Sequence, residues 1–180
     1  MIEAAERILT EEGCAALTAG KLAQCVGLSR LSVHYYFGTI DELIVAVLDR
    51  RGDILHAEIA DLPERANPLR AAWERRARAT TFTFEIMVLG LRRPLVKEAL
   101  HRHLLALRSS FSRSIKGFFE RVGTPPPLEP DAMATAFLAV SQAITMDISM
   151  GIDTGHRALV QTVETWLDVM DGLTSEATQA

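Results

Sequence analysis

Six side chains between positions 30 and 36 differ in chemistry from everything around them: Arg30, Leu31, Ser32, His34, Tyr35 and Tyr36. A guanidinium can donate to guanine O6 and N7, hydroxyls and phenols can meet phosphate oxygens, and an aliphatic side chain can touch a thymine methyl. The spacing presents them together. Val33 and Phe37 lie four residues apart and turn inward with Leu28 and Leu22, so Arg30, Leu31, Ser32, His34 and Tyr35 face outward on a short helix, with Tyr36 at its margin. A tyrosine pair on a solvent face is itself a sign of a partner.

The flanking residues say what positions this face. Thr18 is placed to cap a helix holding Leu22, Ala23 and Val26, which Gly27 ends, and Ser29 caps the next helix, Arg30 to Phe37, which stops at Gly38. Two short helices joined by Gly27-Leu28-Ser29 have the dimensions of a helix-turn-helix at residues 18–37, whose second helix enters the major groove. A helix from Ile2 to Glu12, closed by Gly13, precedes the pair. A fourth, capped by Thr39 or Asp41, runs to about Ile59.

The rest of the chain also reads as helix. A polar linker at 61–66 leads to Asn67-Pro68, an N-cap with proline at the first helical position, opening a helix to about Leu89. Helical spacing then runs from Leu95 to Val122, and Gly123-Thr124-Pro125-Pro126-Pro127 is a loop. Helices from Pro130 to Met150 and Gly155 to Gly172 follow, and the polar tail from Thr174 is expected to fray. The predicted fold is all-α, with about nine helices and no strand.

The motifs resemble the TetR DNA-binding signature over residues 2–51: Thr18-Ala19-Gly20-Lys21-Leu22-Ala23, Val26-Gly27-Leu28-Ser29, Val33-His34-Tyr35-Tyr36-Phe37-Gly38 and Asp41-Glu42-Leu43. Ile2-Glu3-Ala4-Ala5 and Glu12-Gly13 match its first helix. The resemblance implies a DNA-binding domain at 1–51 and an effector-binding and dimerisation domain at 52–180. It assigns DNA contacts to Arg30, Leu31, Ser32, His34, Tyr35 and Tyr36, with Thr18 and Lys21 at the backbone. Three departures point to weak electrostatic anchoring: Leu31 replaces a glycine or small residue, Ile40 replaces a common phosphate-binding lysine, and the chain as given opens on its first helix without a basic arm.

In the second domain Trp73, Phe82, Met87, Phe111, Phe137, Gln142, Met146 and Asp147 are the candidate lining of a pocket for a small, mostly apolar effector. Gln142 and Asp147 stand out because each interrupts an apolar helix. A homodimer is expected on the last two helices through Leu138, Leu159, Val163, Trp166, Leu167 and Met170, with Ala134, Ser141 and Thr145 giving a flatter face.

Composition sets the limits. Hydrophobic residues make up 48% and charged residues 23%, the balance of a globular chain. The net charge of −4, with five Lys/Arg against seven Asp/Glu in the first 51 residues, does not itself point to nucleic acid, so the motif must carry that reading. No apolar stretch is read as a membrane span and no leader pattern opens the chain, which leads to a cytoplasmic expectation. Cys14 and Cys25 are read as two small buried hydrophobes. His101 and His103 point in different directions on a helix and lack metal-ligand spacing, and Arg75, Arg76 and Arg78 are read as a solvated face. No metal, cofactor or enzyme motif is found. The expected function is a repressor that binds palindromic operator DNA as a homodimer and responds to a ligand. The alternative is a helical co-regulator or adaptor that keeps the fold without specific DNA binding.

Overall fold

Three hydroxyl caps frame the N-terminal helices. Thr18 Oγ1 accepts the backbone N–H of Lys21 at 3.1 Å, Ser29 Oγ accepts that of Ser32 at 3.0 Å, and Thr39 Oγ1 accepts that of Glu42 at 3.2 Å. Each satisfies a first-turn donor that has no partner within its own helix. The resulting helices are α1 (Ile2–Glu11), α2 (Ala19–Val26), α3 (Arg30–Tyr36) and α4 (Ile40–Glu58), followed by α5 (Pro68–Glu74), α6 (Thr81–Gly90), α7 (Pro94–Val122), α8 (Pro130–Ser149) and α9 (His156–Gln179). The computed structural model describes residues 1–75 and 81–179; among them are these nine α-helices, two 3-10 turns and no strand.

Gly27 ends α2 in the left-handed region (φ 68°, ψ 30°), and the Leu28 N–H donates to the Ala23 carbonyl at 2.9 Å. A Cβ at Gly27 would meet nothing within 4 Å, so a substitution acts through the backbone alone. Gly27→Ala should therefore cost about 1–2 kcal/mol, the left-handed penalty of an L-residue. Urea denaturation of the two chains checks this, and equal midpoints would refute it.

The chain divides into two compact units. The first joins Met1–Ala57 with Ala79–Leu105. Its core takes Ala5, Ile8 and Leu9 from α1, Leu22 and Ala23 from α2, Val33 from α3 and Leu43, Ile44 and Val47 from α4. Phe82 and Ile86 of α6 and Val96 and Ala99 of α7 close the same core. Arg51 places its guanidinium 4.1 Å from the Phe82 ring centroid and donates to Glu6 at 2.7 Å, a cation–π and ion-pair link between α1, α4 and α6.

The second unit joins Glu58–Arg78 with Ala106–Ala180, around Leu62, Leu69, Trp73, Phe111, Ile115, Phe118, Ile144, Leu167 and Met170. Asn67 is the hinge of its packing. The amide oxygen accepts the N–H groups of Leu69 and Arg70, both at 3.1 Å, and Nδ2 donates to Asp171 at 2.8 Å, so one buried side chain caps α5 and ties it to α9. Arg70 adds ion pairs to Glu164, Asp168 and Asp171.

Several boundaries differ from the sequence reading. The helix opened by Asn67-Pro68 closes at Glu74 rather than running to Leu89, and α6 begins at Thr81. Residues 61–66 include a 3-10 turn, Leu62–Glu64, with Leu62 buried. Instead of fraying from Thr174, α9 continues to Gln179. Gly13 takes φ 86°, ψ 172°, a positive-φ conformation outside the left-handed helical well, after α1 has already ended at Glu11. Finally, α8 is long and apolar enough to cross a membrane by length and composition, contrary to the expectation of no such stretch; only 17% of its apolar window is buried.

Candidate nucleic-acid interface

The reading face is built by α2 and α3 packing through Leu22, Ala23 and Val33, each at most 4% exposed. Phe37 packs on the same core, as its spacing requires, while Leu28 turns out to solvent instead of inward. With Val33 fixed, α3 turns its other residues outward. Leu31, Tyr35 and Tyr36 are 82%, 84% and 64% exposed, and the two tyrosine rings meet edge to face with centroids 5.4 Å apart.

Three polar side chains on this face have close neighbours within the chain. Arg30 lays its guanidinium along α2, so close that a Cβ at Gly20 would lie 2.8 Å from Nε. The Ser32 hydroxyl is 2.9 Å from that of Ser29. His34 Nδ1 is 3.3 Å from the Gly38 carbonyl oxygen, a bond the ring makes when Nδ1 carries the proton. At the start of α2 Thr18 is exposed, and Lys21 is half-buried in an ion pair with Glu12. The structure thus gathers all eight sequence-predicted residues within the first unit, on one two-helix element. Gly20 was missed by the sequence reading; its place one turn before Ala23, in Thr18-Ala19-Gly20-Lys21, was the available signal. Arg93 was missed as well, and its guanidinium donates to Asp41 in the first turn of α4 at 2.5 Å.

The candidate effector residues are not brought together. Phe82 and Met87 lie on α6 in the first unit, where Phe82 is core. Trp73, Phe111 and Phe137 form one aromatic cluster in the second unit, with ring centroids 5.8 and 4.9 Å from that of Phe137. Gln142 is half-buried, Met146 is exposed, and Asp147 accepts a bond from His156 Nε2 at 2.9 Å rather than facing a cavity alone. A groove of about 560 Å³ in the second unit is lined by other residues, including Lys116, Phe119, Pro126 and Glu129.

The dimer residues need a similar correction. Leu167 and Met170 are 0% and 2% exposed and belong to the core, because α9 uses its strongest apolar line to pack on α5 and α7. Val163, Trp166 and Leu138 are partly buried against that core, leaving Leu159 as the exposed member of the predicted set. On α8, Ala134 is buried and the hydroxyls of Ser141 and Thr145 bond back to the carbonyls of Phe137 and Ser141. The faces that are exposed carry small residues: Ala132, Ala136, Ala139 and Ala143 on α8, and Ala158, Thr162, Thr165, Val169 and Gly172 on α9.

Other expectations resolve locally. Cys14 is half-buried, and burial together with the Glu85 carboxylate pushes its thiol up to about 12, so it stays protonated at neutral pH; Cys25 is exposed, not buried. His101 is exposed, and His103 Nε2 is 2.8 Å from Asp49. Among the described residues no group of three His, Cys, Asp or Glu could hold a metal ion. Arg75 is not merely solvated: it donates to Asp61 at 2.6 Å, and with Arg65 it holds that carboxyl below the usual carboxylate range. Arg76 and Arg78 lie outside the described residues.

Residues 1–47 match the sequence model of "Bacterial regulatory proteins, tetR family". Over these residues the chain is similar to the DNA-binding domain of TetR-family regulators. The fold agrees. A crystal structure of a TetR transcription regulator from Haloarcula marismortui superposes with a TM-score of 0.71 at 20% identity, over 98% of this chain and 93% of that one. One of a transcriptional regulator from Rhodococcus sp. Rha1 gives 0.68 at 22% identity, over 97% and 94%. No curated protein matches the chain.

Proposed function

We propose that the chain is a TetR-type transcription regulator, a repressor that binds a roughly palindromic operator as a homodimer and changes its DNA affinity when a small, mostly apolar molecule binds. In this reading residues 1–51 act as the DNA-binding domain, and residues 52–180 serve dimerisation and effector binding. The observation that carries it is the outward presentation of Leu31, Tyr35 and Tyr36 on the second helix of a capped helix-turn-helix. Such exposure of large apolar groups is explained by a partner surface. Dimerisation is supported by the apolar but little-buried α8 and the small-residue stripe on α9, faces that allow close helix approach. Two identical heads then require half-sites about one helical turn apart, or a multiple of it. Effector binding is supported by the groove of about 560 Å³ in the second unit beside Phe119, Pro125 and Pro126, since Trp73 and Phe111 are packed core.

The test is selection of bound duplexes from random DNA, followed by titration between 50 and 200 mM salt. Of the two cations on the reading helices, Arg30 lies along α2 and Lys21 is paired with Glu12. Docking that exchanges these contacts for phosphates lets a dimer neutralise roughly four of them, and log K should then fall with log salt at a slope of about −4, at roughly −0.9 per phosphate. Failure to enrich any duplex over competitor DNA would overturn the reading in favour of the co-regulator, which the net −2 of the first 51 residues and the Lys21–Glu12 pair would then explain.

A further inference from the structure

We propose that Leu31 and Tyr35 form an apolar reading edge that selects pyrimidines bearing a C5 methyl group in the major groove. The inference rests on the DNA-binding reading above and adds what the face recognises. It begins from an inventory of α3. Of its polar side chains, Arg30 is laid against Gly20, Ser32 is matched with Ser29, and His34 lies beside the Gly38 carbonyl. Leu31 and Tyr35 are the most exposed large apolar side chains on the helix, at 82% and 84%. They are four residues apart, so they share one face. The edge-on contact with Tyr36 holds the Tyr35 ring upright on that face.

A leucine side chain neither donates nor accepts a hydrogen bond, so it cannot read the polar pattern of a base edge. The apolar feature of the major-groove edges is the thymine C5 methyl, and 5-methylcytosine presents the same group. Against an unmethylated cytosine or a uracil the same leucine meets no methyl group and loses that apolar contact. With one formal charge in seven residues, α3 has little non-specific attraction with which to mask that difference.

The experiment uses the full chain and the duplex it selects. Each thymine is replaced in turn by deoxyuridine, which removes only the methyl group. At one or two positions per half-site affinity should fall about fourfold, the equivalent of roughly 0.8 kcal/mol per buried methyl-sized group. Leu31→Ala should abolish the response at one of these positions while the unfolding midpoint stays unchanged, since the side chain is open to solvent. Placing 5-methylcytosine·guanine at the responsive position separates the sources: recovery shows that either methylated pyrimidine is accepted, and no recovery assigns the edge to thymine. A selected duplex that binds equally well with deoxyuridine throughout overturns the inference while leaving DNA binding intact. A chain that selects no duplex overturns both.

Discussion

Replacing Trp73 with alanine will destabilise the second unit by about 3–5 kcal/mol, the range for removing a large aromatic side chain from a packed core. Trp73 is 1% exposed and lies edge-on to Phe137, which in turn packs on Phe111. Truncation would leave a void facing α7 and α8, because neighbouring side chains in a close-packed interior relax only partly. The indole also has a polar task. Its Nε1–H donates to Glu164 at 2.6 Å, joining α5 to α9 beside the Arg70 ion pairs. Trp73→Phe separates the two contributions. It keeps most of the volume and removes the donor, and Glu164 remains paired with Arg70 and partly open to water, so this variant should lose only about 1 kcal/mol. Urea unfolding followed by far-UV circular dichroism measures both. A loss below about 1.5 kcal/mol for the alanine variant would show that Trp73 is not a structural centre of the unit.

The same helix shows where sequence reading succeeds and where it fails. Asn67-Pro68 is legible as a helix start because a cap is written in adjacent residues, whereas Trp73, read from the sequence as candidate pocket lining, is core. Thr18, Gly27 and Ser29 were legible for the same reason, and with them the whole two-helix reading face. The allocation of aromatic residues was not legible. Phe82 and Trp73 are nine positions apart and looked like one lining, yet they close the cores of different units, a fact fixed by α1, α4 and α7 far away in the chain. Leu28 misled in the opposite direction: its type suggested burial, but the left-handed turn at Gly27 swings it out. Thr174 and its neighbours looked like a frayed tail, whereas the helix continues past them, anchored one turn earlier by Met170 and Asp171.

Interfaces are harder to read than cores because the same helix can serve both. On α9 the large residues Leu167 and Met170 were the obvious candidates for a partner surface, and the fold consumes them. What remains exposed on α8 and α9 includes, beside Met146, Ile148, Leu159 and Val169, a set of alanines, threonines and a glycine, inconspicuous by type but able to bring two helix pairs close together. Adding a guanidinium to each of these faces, Ala139→Arg with Thr165→Arg, should therefore convert a dimer of about 40 kDa, twice the 19.8 kDa chain, into a monomer. Both positions are exposed within the chain, so the unfolding transition of the unit should survive while a two-fold interface, which would bring like charges together in a desolvated contact, would not. Loss of the second head should lower affinity for a two-half-site operator by about 10²–10⁴-fold, the scale at which linked sites reinforce one another, and should leave affinity for a single half-site unchanged. Sedimentation together with titration of the two duplexes decides the matter. A doubly substituted chain that still sediments as a dimer would move the interface off α8 and α9, and their exposed apolar face would then need a different partner.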